Sequence, residues 1–509
     1  MIYLVEVTAA TDSAGTTTVL RFSSDNYTTG PAESPANAFY DPRVKTPADI
    51  TRSLFSSNAT GGVSRIGYGV VELSNMDGGL DYMLEYGYGG RDLTIKVGEE
   101  DDAYSAFTTI LAGTMEQVEF SFQTVTILAR DKLAVLDLPL QKNEYGGTNA
   151  LPAGVDGTDD LKGQKKPLLY GTVYNISPPI VNTSRLVYQV SDILINDVSY
   201  VYDRGVALTK GSDYTDMNDM MNNIPSAANY RILKTSTGSY FRLGSSPAGQ
   251  ITCDAVQGSA ASARTTAQIL KLLAIRGGVP SGDVYASDVT ALDTANSAVV
   301  GIWVFGDDSA ITVMDQVAQS VGAWYGYDAT GQFRMGRFEA ASGVADIEIN
   351  TDNIIEIEST RTADTDRGVP AFKVILAYKK NYTQQDTDLA GSVTTDRRSF
   401  LRYEFQSVSA EDASVKNQFL LAAELDRQTL LIDSTAAGTE ATRLLNLYKV
   451  RRRLYQVRVA LDVTEHLPDL NDVANVTIAR FGLDSGKLFR IIGISSNYAT
   501  NRATLTLWG

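Results

Sequence analysis

The sequence predicts a mainly β protein of several domains, and three observations carry that expectation. The chain has 509 residues, well past the roughly 250–300 at which a single core stops growing, so three or four domains are expected. Short runs of alternating apolar and polar residues, bounded by Gly, Asn and Asp, fill most of its length. Helical spacing is confined to a few segments, after about residue 260 and within the final third.

The first unit spans residues 1–150. Runs from Val71 (VELSN), Asp92 (DLTIKVG) and Val118 (VEFSFQTVTILA) alternate with period two and read as strands. From Glu144 to Gly163 the chain is rich in Gly, Asp and Pro, which sustain neither a ladder nor a helix, so a boundary is expected there. Residues 151–260 form a second β-rich unit, dense in Val, Ile and Tyr, with DYTDMNDMMNNIPS as an exposed excursion.

A small α/β unit follows at 261–345. One helix is expected near 265–276, with Thr265 or Thr266 capping its amides, Ile269, Leu270 and Leu273 as its apolar stripe and Gly277 as a left-handed stop. A second is expected near 309–321, capped by Asp308 or Ser309, with Ile311, Met314, Val317 and Val321 on one face. A hairpin at 323–338 turns on DATGQ, and its Trp324, Tyr325 and Phe333 are read as core or interface residues. Residues 346–509 form the second large β unit, interrupted by helices at about 410–425 (apolar side Val415, Phe419, Ala422, Ala423) and 439–453. Arg451, Arg452 and Arg453 then complement the carbonyl end of that last helix, with an anion site as the rarer reading.

The composition excludes several functions. Lys and Arg number 44 against 60 Asp and Glu, a net charge of −16, which disfavours binding along a phosphate backbone and suits a surface past which DNA slides. No apolar run approaches the ~20 residues that span a bilayer, and MIYLVEVTAATD lacks the basic segment of a cleaved signal, reading instead as a first strand. A lone Cys253 allows neither an intrachain disulfide nor a cysteine-ligated metal cluster and reads as a small buried residue. A lone His466, in a polar turn, leaves little means for general-base or metal chemistry.

No phosphate loop, HExxH helix, GxSxG elbow or calcium-loop pattern is present. Paired carboxylates are the remaining catalytic option. The candidates are Glu99 to Asp102, Asp159 with Asp160, and Asp364 with Asp366, all of which read more simply as solvated turns. The expectation is therefore no enzyme, with no catalytic, cofactor-binding or metal residues and no cofactor.

Three stretches are distinctive together: PANAFYDPRV through VVELSNMDGGLDYMLEYGYGGRDLTIKVG to ILARDKLAVLDLPLQKNEYGG; LKGQKKPLLYGTVYNISPPIVNTSRLVYQVSD with VYDRGVAL; and the ending FGLDSGKLFRIIGISSNYATNRATLTLWG. With the order of the units, they resemble the tail hub (baseplate hub) proteins of long-tailed bacteriophages and prophages, related to the hub of gene transfer agent particles. The resemblance covers nearly the whole chain, and 308–338 fits that family's central domain.

It implies two tube-like β-barrel domains per chain, plus a smaller β region and a small α/β domain. Three chains then form a homotrimeric ring that adapts a six-fold tail tube to a three-fold tip around the DNA exit channel. The implied partners are the distal tail protein and tail tube, a central fibre or tip protein, tape-measure components and DNA passing through; the implied location is the distal end of the virion tail, assembled in the host cytoplasm. Some related tip proteins hold an iron–sulfur cluster through several cysteines, and with Cys253 alone this chain departs from that pattern. The alternative is a receptor- or carbohydrate-binding tail-tip component, since β chains rich in Tyr can offer aromatic platforms to sugars.

Overall fold

The protein is mainly β and multidomain. The computed structural model describes residues 1–47, 49–55, 62–63, 65–360, 369–460, 468–498 and 500–509.

The N-terminal sheet has seven antiparallel strands in the order Thr17–Ser23, Ile2–Ala10, Asp92–Gly98, Thr108–Phe120, Thr124–Arg130, Val70–Ser74, Val44–Thr46. Period-two alternation puts Val5, Val7, Leu93, Ile95, Val125 and Ile127 on one face with no solvent exposure. The run from Val118 is not one strand. Ser121 donates its amide to the Thr124 carbonyl at 2.8 Å, so the chain turns back through Phe122, which is 94% exposed at the tip. The sheet also curls on itself: Phe22 on one edge strand bridges Asp41, just before the opposite edge strand begins at Val44.

The C-terminal sheet runs Ile347–Asn350, Val473–Ile478, Leu483–Asn497, Arg502–Trp508, Leu454–Ala460, Ile354–Thr360. Its two outermost strands are consecutive in the chain, joined by residues 351–353 alone, so this sheet curls too. Strand Asp49–Ser53, from the first unit, pairs with Leu483–Asn497 in the register Thr51 opposite Ser495. The two curled sheets accordingly share one apolar core, in which Val5, Val7 and Leu93 belong with Val457, Leu505, Phe489 and Trp508. The sequence separates these units by about 200 residues, and only tertiary packing unites them.

Between them in sequence, two five-stranded sheets face each other. One runs Val206–Ala207, Asp197–Asp203, Ile251–Val256, Leu168–Ile176, Gly301–Val304, and the other Ile180–Asn182, Val187–Ser191, Gly238–Leu243, Asn229–Thr235, Thr209–Lys210. Val173, Val190, Val201, Ile232, Phe241 and Ala255 fill the space between. The excursion from Asp213 to Ser226 holds a short helix, α1 (Met217–Asn222), started by Asp216 accepting from the Asp219 amide at 2.8 Å and anchored by buried Met220.

The next helices are α2 (Thr266–Gly277), α3 (Ala286–Ala295) and α4 (Ala310–Gln319). Thr265 caps α2, and the left-handed stop is Gly278 at φ 122°, one residue beyond the expected Gly277. Ile269, Leu270, Leu273, Val313, Met314 and Val317 meet in one core with Tyr325 and Phe333 of the expected hairpin, whose strands are Ala323–Tyr327 and Phe333–Arg337. Helix α3 carries little helical signal in the sequence because its apolar side is sparse, with Val289 and Leu292 its buried residues. Ser309 caps α4, accepting from the Thr312 amide. Its replacement by alanine is expected to cost about 1 kcal/mol, read as a lowered urea midpoint with unchanged slope.

The expected helix at 410–425 is not formed. Its residues make strand Gln406–Glu411, a single turn α6 (Val415–Gln418) and strand Ala423–Gln428. Both strands flank Ala371–Tyr378, the first antiparallel and the second parallel. The apolar positions do recur at helical spacing, but that central strand needs hydrogen-bond partners on both sides, and pairing overrides local preference. A helix α5 (Thr395–Arg402) precedes them. The expected helix at 439–453 exists but lies earlier, as α7 (Ser434–Tyr448), capped by Asp433.

Candidate functional site

The sequence candidates for chemistry that fall among the described residues sit in ordinary structural positions. Glu99 pairs with the Met1 ammonium at 3.1 Å and donates its amide to the Asp102 carboxylate at 2.9 Å, in an exposed turn. Asp160 accepts from the Thr158 hydroxyl in another exposed turn beside Asp159. Asp364, Asp366 and His466 lie outside the described residues. Cys253 is fully buried, and burial pushes its thiol well up. Among the described residues no three His, Cys, Asp or Glu side chains converge on a metal position, and no helix is long and apolar enough to cross a membrane.

Trp324, Tyr325 and Phe333 are buried, and Tyr325 donates its hydroxyl to Asp315 at 2.9 Å. Arg452 donates to the Leu447 carbonyl at 3.0 Å, satisfying the end of α7, while its guanidinium lies 4.7 Å from the Trp508 ring centroid. Arg453 gives its side chain to the Phe481 carbonyl at 2.6 Å and pairs its backbone with Gly509. Arg452 thus serves helix capping and Arg453 strand pairing.

Three arrangements invisible in the sequence emerge instead. The first is an ion cluster at the junction of hairpin, α3 and α7. Glu440, 1% exposed, accepts from Arg443 at 2.7 Å and from Arg337, and those guanidiniums also donate to the carbonyls of Phe338 (2.9 Å) and Ala295 (2.7 Å). The second is a cleft of about 350 Å³ between the hairpin, α3 and residues 469–472. Within it Arg334 bridges Asp288 (2.6 Å) and Asp328 (3.3 Å), and Arg52 holds Asp469.

The third is the solvent face of the C-terminal sheet. Register aligns Thr51, Ser495, Thr504, Arg458 and Glu356 in one row across five neighbouring strands, and Ser53, Gly493, Thr506, Gln456 and Glu358 in the next. Arg458 and Glu356 neutralise each other at 3.0 Å. The face carries short hydroxyl and amide side chains with nearly balanced charge, a surface that offers phosphate no concentrated positive field.

No family model and no curated protein matches the chain. Solved structures it is similar to include tail proteins and a chain of a gene transfer agent virion. The 43 kDa tail protein of prophage MuSo2 from Shewanella oneidensis is 13% identical, with 93% of this chain and 96% of that one covered and a TM-score of 0.40. The tail protein from Neisseria meningitidis MC58 is 9% identical, with 100% and 96% covered and a TM-score of 0.43. A chain of the virion of a native gene transfer agent particle is 13% identical, with 74% and 91% covered and a TM-score of 0.44. At these TM-scores the likeness assigns no function by itself.

Proposed function

We propose that this chain is a non-catalytic structural hub at the distal end of a bacteriophage tail, acting as a homotrimeric ring around the DNA exit channel. The observation that supports this reading is the pair of curled β-sheets, N-terminal and C-terminal, fused through one core within one chain. Three such chains offer six similar β units to a six-fold tube while keeping three-fold symmetry toward the tip.

In this reading the four units are 1–150, 151–260, 261–345 and 346–509, with the first and last forming the ring. Their partners are the distal tail protein and tail tube on one side and a central fibre or tip protein, with tape-measure components, on the other. The Thr- and Ser-rich face of the C-terminal sheet is the wall offered to the channel. With weak, balanced charge there, no release of DNA counterions rewards a tight complex, and DNA passes. The chain-wide excess of acidic groups adds a general repulsion.

The test is stoichiometry in intact tails bearing this chain, by imaging of the tip or quantitative mass analysis against the tube protein. Three copies per tip are expected; one or six would overturn the reading.

A further inference from the structure

We propose that residues 379–405 act as a detachable clasp, opening as one unit from the middle β-sandwich while the sheets on both sides stay folded. The inference rests on this chain's own geometry and holds whatever the assembly.

The segment leaves strand Ala371–Tyr378 and returns in Gln406–Glu411, with Tyr378 directly opposite Gln406. A tight turn would close such a hairpin. The chain instead makes a long excursion that carries α5 across to the sandwich. The excursion is bonded to itself: Gln385 donates its amide to Leu401 O at 2.9 Å, Asn381 donates its side-chain amide to Leu401 O (3.0 Å) and Tyr403 O (3.1 Å), and Arg398 donates to Ala390 O at 2.7 Å. A segment with its own internal closure can move without unravelling.

Its dock mixes polar and aromatic contacts: Tyr382 packs against the sandwich core and accepts from the Trp303 amide at 3.0 Å, and Phe400 meets Tyr174 edge to face. Asn175, buried and left-handed at φ 55°, donates its amide nitrogen to Asp254 at 2.8 Å and its side chain to Asn381 at 2.8 Å, and accepts from Arg397 at 2.9 Å. Tyr202 donates its hydroxyl to the other Asp254 oxygen at 2.8 Å, and the Arg397 guanidinium lies 3.8 Å from the Tyr202 ring centroid. Arg204 pairs with Asp388 at 2.9 Å. Apolar contact is added around Gly205, whose position is packed by Leu389, Val393 and Leu401.

The dock is also imperfectly satisfied. Both side-chain polar atoms of Gln385, a residue 4% exposed, lack a hydrogen-bond partner, as does Nε of Arg397. Unmatched buried polar atoms destabilise the closed state; the sandwich strands carry some too, at Thr172, Thr252 and Arg242, but there full backbone ladders and the apolar core of Val201, Ile232 and Phe241 outweigh them. The clasp pairs with a sandwich strand at an isolated bridge, Tyr174 with Asn381, where the sheets are joined by continuous ladders, which is what lets the segment open below the threshold of global unfolding.

The test is native-state hydrogen exchange on the full chain. The clasp amides that bond to the sandwich or within the clasp, those of Tyr382, Gln385 and Ala390, are expected to exchange at least tenfold faster than strand amides at Val201, Cys253 and Ile232. Arg397→Ala should speed the clasp amides about tenfold further and leave the strand amides unchanged. Gln385→Leu, which removes the unmatched polar pair, should slow the clasp amides several-fold and serves if the arginine variant does not fold. Clasp and strand amides exchanging together in the native protein, or a Gln385→Leu that leaves clasp exchange unchanged, would overturn the proposal.

Discussion

Replacing Glu440 by alanine is expected to lower the stability of the chain by about 3–5 kcal/mol, because it strands two buried guanidiniums that share this one carboxylate. Arg337 and Arg443 are 11% and 14% exposed at their side chains, and Glu440 is 1% exposed. None can recover a hydration shell by a small movement. The neighbouring Glu339, within 3.4 Å of Arg337 and 3.3 Å of Arg443, is 42% exposed and already shared, so its attraction is screened. Urea denaturation measures the effect. Replacing all three by apolar residues (Glu440→Leu, Arg337→Met, Arg443→Met) should recover most of the loss, since desolvation then disappears along with attraction. A single variant losing under about 1 kcal/mol would show that water reaches the cluster.

How much of this was legible in the sequence depends on the range over which each feature is decided. Caps and stripes are local, so the caps could be narrowed to two neighbouring residues each, of which Thr265 and Ser309 serve, and the faces of α2 and α4 could be read directly, as could strand Asp92–Gly98 with its strict alternation. The error at 410–425 has a non-local cause: Val408 and Ala410 are held opposite Leu376 and Val374 by a strand more than thirty residues earlier. The Glu440 cluster joins positions 337 and 443 to 440, and the clasp joins 175 and 254 to 381 and 397. Helical spacing links 440 to 443, three residues apart on α7, but no spacing rule links the other positions, which the fold alone makes neighbours. The same holds for the shared core, where strand Asp49–Ser53 crosses to a partner more than four hundred residues away. Charge was legible only as a sum. The acidic excess says nothing of where the charges lie, and the solvent face of the C-terminal sheet presents Thr51, Ser495, Thr504 and Thr506.

Gly171→Ala is expected to abolish cooperative folding of the middle sandwich. Strand Leu168–Ile176 changes partner at this residue: Leu168 to Gly171 pair with Gly301–Val304, and from Thr172 onward the partner is Ile251–Val256. The switch needs a corner, and Gly171 makes it at φ 73°. An alanine there meets two penalties. The left-handed backbone costs a residue with a Cβ about 1–2 kcal/mol, and the new Cβ would sit 2.0 Å from the Val300 carbonyl oxygen and 2.8 Å from the Gly301 Cα. Those are backbone atoms of the next strand, so relief requires opening the ladder that ties the α/β unit to the sandwich, at about 1–3 kcal/mol or more. Together the losses reach the range reserved for a broken structural device. Gly163→Ala is the control, with a similar φ of 79° and nothing within 4 Å of its Cβ, so it meets the first penalty alone. If the two variants unfold at the same urea concentration, the close approach at Val300 does not constrain the fold. If Gly171→Ala alone loses the sandwich transition while Gly163→Ala keeps it, the corner is what joins the middle unit to the helices beside it.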